Sequence, residues 1–194
     1  NMSYFAYDPK DLPSNDRMIA DAKDMVRRLT VLRDAPVVDP YTGPAILSGP
    51  ASGVFFHEIF GHRIEGHRLK GGGETFKKKV GELVLPADFQ VYCDPTLRSY
   101  AGEELNGFYL YDDQGVKARR VDVVKDGVLR EFLMSRVPLD GFPRSNGHGR
   151  TAGGGDPVSR QSNLVVETTA PHSEAELRSM LIEEAKKQGK EYGY

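Results

Sequence analysis

Cysteine is nearly absent. Cys93 stands alone among 194 residues, which excludes a disulfide framework. Charge of one sign is also lacking: the net charge is −2, from 26 basic and 28 acidic side chains, so nothing recommends nucleic acid or an anionic membrane as a partner. No apolar run approaches the roughly 18 residues that a membrane-crossing helix requires, and no basic-then-apolar signal segment opens the chain. The cytoplasm is the expected location. None of the glycine-rich stretches follows a strand and opens a helix as Gly-x-x-x-x-Gly-Lys, which removes a phosphate-binding loop of that type. There is no internal repeat. What is present is 39% hydrophobic residues, sufficient for the core of one sizeable domain.

Ser14 to Arg33 reads as an amphipathic helix whose apolar stripe is Met18, Ala22, Val26 and Leu29, a packing element. Ala35-Pro36 to Pro40 then breaks the helix, and a boundary is expected at about residue 35. This divides an amino-terminal helical segment and linker, 1–35, from a second region, 36–194. A short strand at Ala45-Ile46-Leu47 is expected to lead into a helix from Ala51 to Glu65. Ser48-Gly49-Pro50 supplies a capping neighbourhood and a proline for its first turn, and Gly66 ends it.

Beyond that helix the pattern turns to strands. Gly71-Gly72-Gly73 is a loop, and Lys77-Lys78-Lys79 is a solvated charge run. Phe89 to Asp94 alternates as a strand with Cys93 on the face of Phe89 and Val91, so Cys93 reads as a buried structural thiol. A meander follows: strand Phe108 to Tyr111, a turn at Asp112 to Gly115, a strand through Val121 and Val123, the Asp126-Gly127 hairpin turn, and a strand Val128 to Met134. Asn163 to Thr168 is a further strand, and Ser173-Glu174-Ala175-Glu176 is a capping box for a helix running to about Gln188. Short connections make the strands antiparallel and keep them apart from the helices. The expected fold is therefore α+β, an antiparallel β-meander with one helix packed against it.

Chemistry is concentrated in His57-Glu58-Ile59-Phe60-Gly61-His62. Two imidazoles with a carboxylate between them, inside an apolar helix, form the ligand-and-base arrangement of metal-dependent hydrolysis. The histidines are i and i+5, which puts them about 140° apart on a regular helix. They can share one ion only if the turn is widened, as in a π-bulge, and Gly61 is where that distortion costs least. Glu58 is then the candidate general base, able to take a proton from water and hand it to a leaving amine. The competing reading leaves His57 and His62 as ordinary packed or surface histidines. His67 lies past Gly66 and is a weaker candidate ligand.

A second glycine-rich stretch, Asn146-Gly147-His148-Gly149-Arg150 followed by Gly153-Gly154-Gly155, suits a loop whose backbone approaches a ligand. His148 and Arg150 are its candidate substrate-binding residues, for a peptide carbonyl, a carboxylate or a developing oxyanion. A plain flexible loop is the alternative.

The run Gly53-Val54-Phe55-Phe56-His57-Glu58-Ile59-Phe60-Gly61-His62, followed by Glu65-Gly66, resembles the H-E-x-x-x-H signature of the TldD/PmbA peptidases, also called modulators of DNA gyrase. Tyr41-Thr42-Gly43-Pro44, Gly81-Glu82-Leu83, Asp112-Asp113-Gln114-Gly115-Val116 and Asn146 to Arg150 agree in order, so the resemblance spans about 36 to 194. It implies a zinc-dependent peptidase acting on small or unfolded peptides, with zinc on His57 and His62 and water activated by Glu58. It also implies a homo- or heterodimer with a related subunit. The family's third ligand is a cysteine nearer the carboxyl end of the full-length protein, so the resemblance implies a partial domain here, with an incomplete metal site and no activity of its own. The alternative function is a non-catalytic peptide-binding or assembly module of a heteromeric peptidase.

Overall fold

A computed structural model describes residues 2–71, 75–151 and 153–194. Strand β1 (Phe89–Cys93) is the inner strand from which the main sheet is built. The short ribbon β2 (Ser99–Tyr100) and β3 (Glu103–Glu104) follows it, then the hairpin β4 (Val121–Lys125) and β5 (Val128–Leu129). A second ribbon pairs β6 (Gly149–Arg150) with β7 (Val158–Ser159), and β8 (Leu164–Thr168) completes the set. The main sheet runs β5-β4-β1-β8, antiparallel throughout. Its tightest corner is Asp126-Gly127, with φ of 52° and 73°. Positive φ at both central positions is what a two-residue type I′ turn demands.

The helices are α1 (Asn15–Asp34), α2 (Gly49–Phe55) and α3 (Glu174–Lys187). Ser14 caps α1 through its hydroxyl, and Ser173 with Glu176 forms the expected capping box on α3. The apolar stripe of α1 stays open in this chain: Val26 and Leu29 are 62% and 56% exposed. The α+β class and the antiparallel sheet are as the sequence indicates.

Several element boundaries differ. The expected helix over 51–65 is three pieces in succession: α2, a π turn over Phe56–Phe60 and a 3₁₀ turn over Gly61–Ile64. Gly66 does not end the run but starts another 3₁₀ turn, Gly66–Lys70. Its reason for being glycine is packing, since a Cβ there would overlap the Met134 sulfur. Ala45–Leu47 is not a strand; the Ile46 N–H instead donates to the Tyr194 carbonyl at 2.6 Å. Phe108 to Tyr111 is likewise irregular, contributing only a bridge from Tyr111 to Lys117 around the Asp112 turn. The strand from Val128 is regular only to Leu129, because the chain then leaves the sheet to meet the helical run. Gly72 and Gly73 of the expected loop lie outside the described residues.

That meeting anchors the site. Phe60, Ile64 and Leu69 share one core with Val91, Cys93, Val121, Val123, Leu129, Phe132 and Leu133. Each such side chain contributes about 1.5–3 kcal/mol on burial. The backbone is joined as well: the Leu133 N–H donates to the Ile64 carbonyl and the Gly66 N–H to the Leu133 carbonyl, both at 2.9 Å. The residue between those two bonds is Glu65.

Candidate metal centre

The π turn decides the geometry of the histidine pair. On a regular helix His57 and His62 would face apart; bonds closing at i+5 bring residues five apart toward one face. The Gly61 N–H is shared between the His57 and Phe56 carbonyls, which marks the widened turn. The two rings consequently approach to 4.8 Å between centroids at 76°. One ligand atom from each of His57, Glu58 and His62 lies within 4.8 Å of the others. The Glu58 carboxylate sits between the rings, its oxygens 3.8 Å from His57 Nε2 and 3.6 Å from His62 Nε2. Two imidazole nitrogens suit zinc and related divalent ions as ligands, and the carboxylate between them stands where it could meet a metal-bound water.

Gly61 itself is in ordinary right-handed helical backbone, φ −59° and ψ −44°. Strain in the turn is therefore not what requires glycine there. The Gln161 carboxamide occupies the space a Cβ would take, with Nε2 donating to the His57 carbonyl at 3.3 Å and standing 3.5 Å from His62 Nδ1.

Behind His62 lies a polar cluster that the sequence reading did not single out. Glu65 is 1% exposed. Its Oε2 is 3.1 Å from His62 Nδ1 and accepts from Arg68 Nε at 2.6 Å, with Arg160 at 3.8 Å. A carboxylate at i+3 from a candidate ligand was the available signal for Glu65, because that spacing shares a helical face. Nothing local points to Gln161.

Beside His57 a groove of about 630 Å³ runs between the start of the helical run and β8. Ser52, Phe56, Leu105, Leu164 and Val166 are among its walls. The other candidates fall elsewhere. His148 is fully buried, its Nδ1 at 3.2 Å from the Asn146 carbonyl and its Nε2 at 3.2 Å from Ser162 Oγ. Burial pulls its pKa down to about 4, so it is a neutral internal strut and presents no ring nitrogen to a ligand. Arg150 pairs with Asp113 at 3.2 Å and lies over the Tyr109 ring, 4.3 Å from its centroid. His148 thus differs from the expected substrate-facing residue, because the turn at Asp112 captures that loop: Asp112 Oδ2 accepts from the Gly149 N–H at 2.9 Å, while the Arg150 side chain stays 34% exposed. Cys93 is buried in β1 with its thiol pushed up to about 12 by burial, as expected of a structural thiol. His67 is half-buried, with its pKa lowered by burial, and is outside the group of three. Among the described residues, no helix is long and apolar enough to cross a membrane.

The chain is similar to several known proteins. A protein of Archaeoglobus fulgidus named a metalloprotease is 33% identical over 123 residues, 63% of this chain and 28% of the relative. A metalloprotease of Methanocaldococcus jannaschii is 32% identical over 122 residues, 62% of this chain and 26% of the relative. The chain thus spans under a third of the length of these relatives. Among solved structures, TldE from Thermococcus kodakarensis superposes with a TM-score of 0.53 at 20% identity, covering 70% of this chain and 29% of that one. A structure from Bacteroides thetaiotaomicron gives 0.59 at 17% identity, covering 82% and 32%. Residues 40–187 match the family described as the PmbA/TldA metallopeptidase C-terminal domain. On that match, which takes in both histidines, Glu58 and the whole main sheet, the chain belongs to the PmbA/TldA metallopeptidase family.

Proposed function

We propose that this chain carries the water-activating part of a zinc-dependent peptidase that cleaves small or unfolded peptides. His57 and His62 hold the metal and Glu58 is the general base. The observation that carries this is the π turn, which brings two imidazoles and a carboxylate within 4.8 Å of one another where a regular helix would separate them. π turns inside helices occur mostly at functional sites. When bound, zinc would supply Lewis-acid polarisation of the scissile carbonyl and acidify water.

The chain's own residues then have defined tasks. His57 and His62 offer nitrogen lone pairs on one side of Glu58. Glu58 accepts a proton from the attacking water as its oxygen bonds to the carbonyl carbon, and returns that proton to the amine nitrogen when the C–N bond breaks. We assign the peptide to the groove beside His57. Two protein donors are fewer than the three usual in catalytic zinc sites, and among the described residues neither Cys93, buried in β1, nor His67 joins them. We propose that the cysteine implied by the family resemblance, nearer the carboxyl end of the full-length protein, supplies the third, and expect the working enzyme to be a cytoplasmic homo- or heterodimer with a related subunit. The division at about residue 35 leaves all the catalytic elements in 36–194.

Glu58→Gln tests the reading against a non-catalytic peptide-binding module. The amide keeps shape but not basicity, so turnover of an unstructured peptide should fall by at least about 10²-fold while zinc remains bound. Wild-type turnover in that variant would leave Glu58 without its role.

A further inference from the structure

The polar cluster behind His62 has a chemical direction. Three groups converge on His62 Nδ1: Glu65 Oε2 at 3.1 Å, Arg68 Nη2 at 3.4 Å and Gln161 Nε2 at 3.5 Å. A guanidinium or an amide nitrogen can only donate, which would favour a bare Nδ1 and a proton on Nε2. A carboxylate can only accept, which favours the reverse. The carboxylate is nearest, and bonds to a charged acceptor are the stronger kind. Arg68 is also already committed through Nε to the same Oε2 at 2.6 Å.

We infer that Glu65 is a positioning residue, which holds His62 with its proton on Nδ1 and so aims the Nε2 lone pair at the metal position beside Glu58. This rests on the peptidase reading of the site for its purpose, though not for its geometry. Glu65 is built for that task. Its backbone lies in extended conformation, ψ 105°, between two 3₁₀ turns, and is pinned on both sides by the bonds to Leu133. The carboxylate therefore starts from a fixed point in the core. Its buried charge is met by Arg68 and Arg160, so it does not depend on His62 for compensation. The arrangement is one-sided: among the described residues the His57 ring has no hydrogen-bond partner of this kind. Of the two histidines, only His62 has its orientation set from behind. Carboxylates in that relation to a ligating imidazole fix the tautomer and typically raise metal affinity by about 10–100-fold.

The test uses full-length protein in two forms. Nitrogen-15 histidine spectra of metal-free wild type, which distinguish the two neutral tautomers from the doubly protonated ring, should show His62 protonated on Nδ1 alone, with that preference lost in Glu65→Gln. Cobalt(II) titration, followed by its visible absorption, should show about 10–100-fold weaker binding in Glu65→Gln than in wild type. A wild-type His62 protonated on Nε2 would overturn the inference, as would a folded Glu65→Gln protein that binds cobalt as tightly as wild type. Should Glu65→Gln fail to fold, the wild-type spectrum alone decides. A wild-type protein that binds no cobalt would instead sink the metal reading of the site, while the tautomer still reads the role of Glu65.

Discussion

Gly53 and Gly61 lie in one helical run, yet replacing each by alanine should not have the same effect on stability. Alanine in place of a helical glycine removes unfolded-state freedom and stabilises by about 0.5–1 kcal/mol where the backbone and space allow it. At Gly53 they do: no atom lies within 4 Å of the new Cβ. At Gly61 the backbone is equally suitable, φ −59° and ψ −44°, but the Cβ would overlap the Gln161 carboxamide. Gln161 would have to leave, losing its 3.3 Å bond to the His57 carbonyl, worth about 1 kcal/mol. The carboxamide is the far end of a flexible side chain and can swing aside, so the lost bond roughly cancels the backbone gain, and Gly61→Ala should leave stability about unchanged, about 0.5–1 kcal/mol below Gly53→Ala. Equilibrium urea unfolding reads both variants. Gln161→Ala supplies the control, because with the carboxamide gone Gly61→Ala should stabilise as Gly53→Ala does. If Gly61→Ala alone matched Gly53→Ala, the close approach of Gln161 could not be the reason for that glycine.

Two further outcomes concern the scaffold. His148 has its pKa depressed to about 4 by burial, against an ordinary 6.5. Between those values the unfolded chain binds the extra proton, so its contribution is present above about pH 6.5 and lost as pH falls toward 4, by about 3 kcal/mol. His148→Gln should flatten that part of the stability profile, and an unchanged slope would contradict the assignment. Asn146 is the other strut: its Oδ1 accepts from the Met134 N–H at 2.7 Å and its Nδ2 donates to the Phe132 carbonyl at 2.7 Å. Asn146→Ala strands these buried groups and should cost about 1–3 kcal/mol for each, read as a shift of the urea midpoint.

Local chemistry was legible in the sequence where a local pattern determines structure. The Asp126-Gly127 turn, the capping box at Ser173 and the antiparallel strands around Cys93 each follow from a few adjacent residues. The i, i+5 spacing of His57 and His62 likewise admits a shared face only through a widened turn, and the π turn is there. Non-local features were not legible. In the sequence Gly61 is the place where a widened turn costs least, but its backbone is ordinary helix and the space a Cβ would take is filled by Gln161, which arrives from a distant segment. Asn146 to Arg150 has the composition of an open ligand loop; Asp112, far upstream, draws it inward and turns His148 into a buried strut. Glu65 looks like an ordinary charged residue at a helix end until Leu133 pins the backbone on both sides of it.

The central claim is that His57 and His62 together hold one metal ion. Elemental analysis of the full-length protein, with His57→Ala and His62→Ala prepared alongside, tests it most directly. The account predicts about one zinc per catalytic subunit, with nitrogen ligands at roughly 2.0–2.1 Å by X-ray absorption, and marked loss of zinc in either variant. Unchanged zinc stoichiometry in both variants would contradict it.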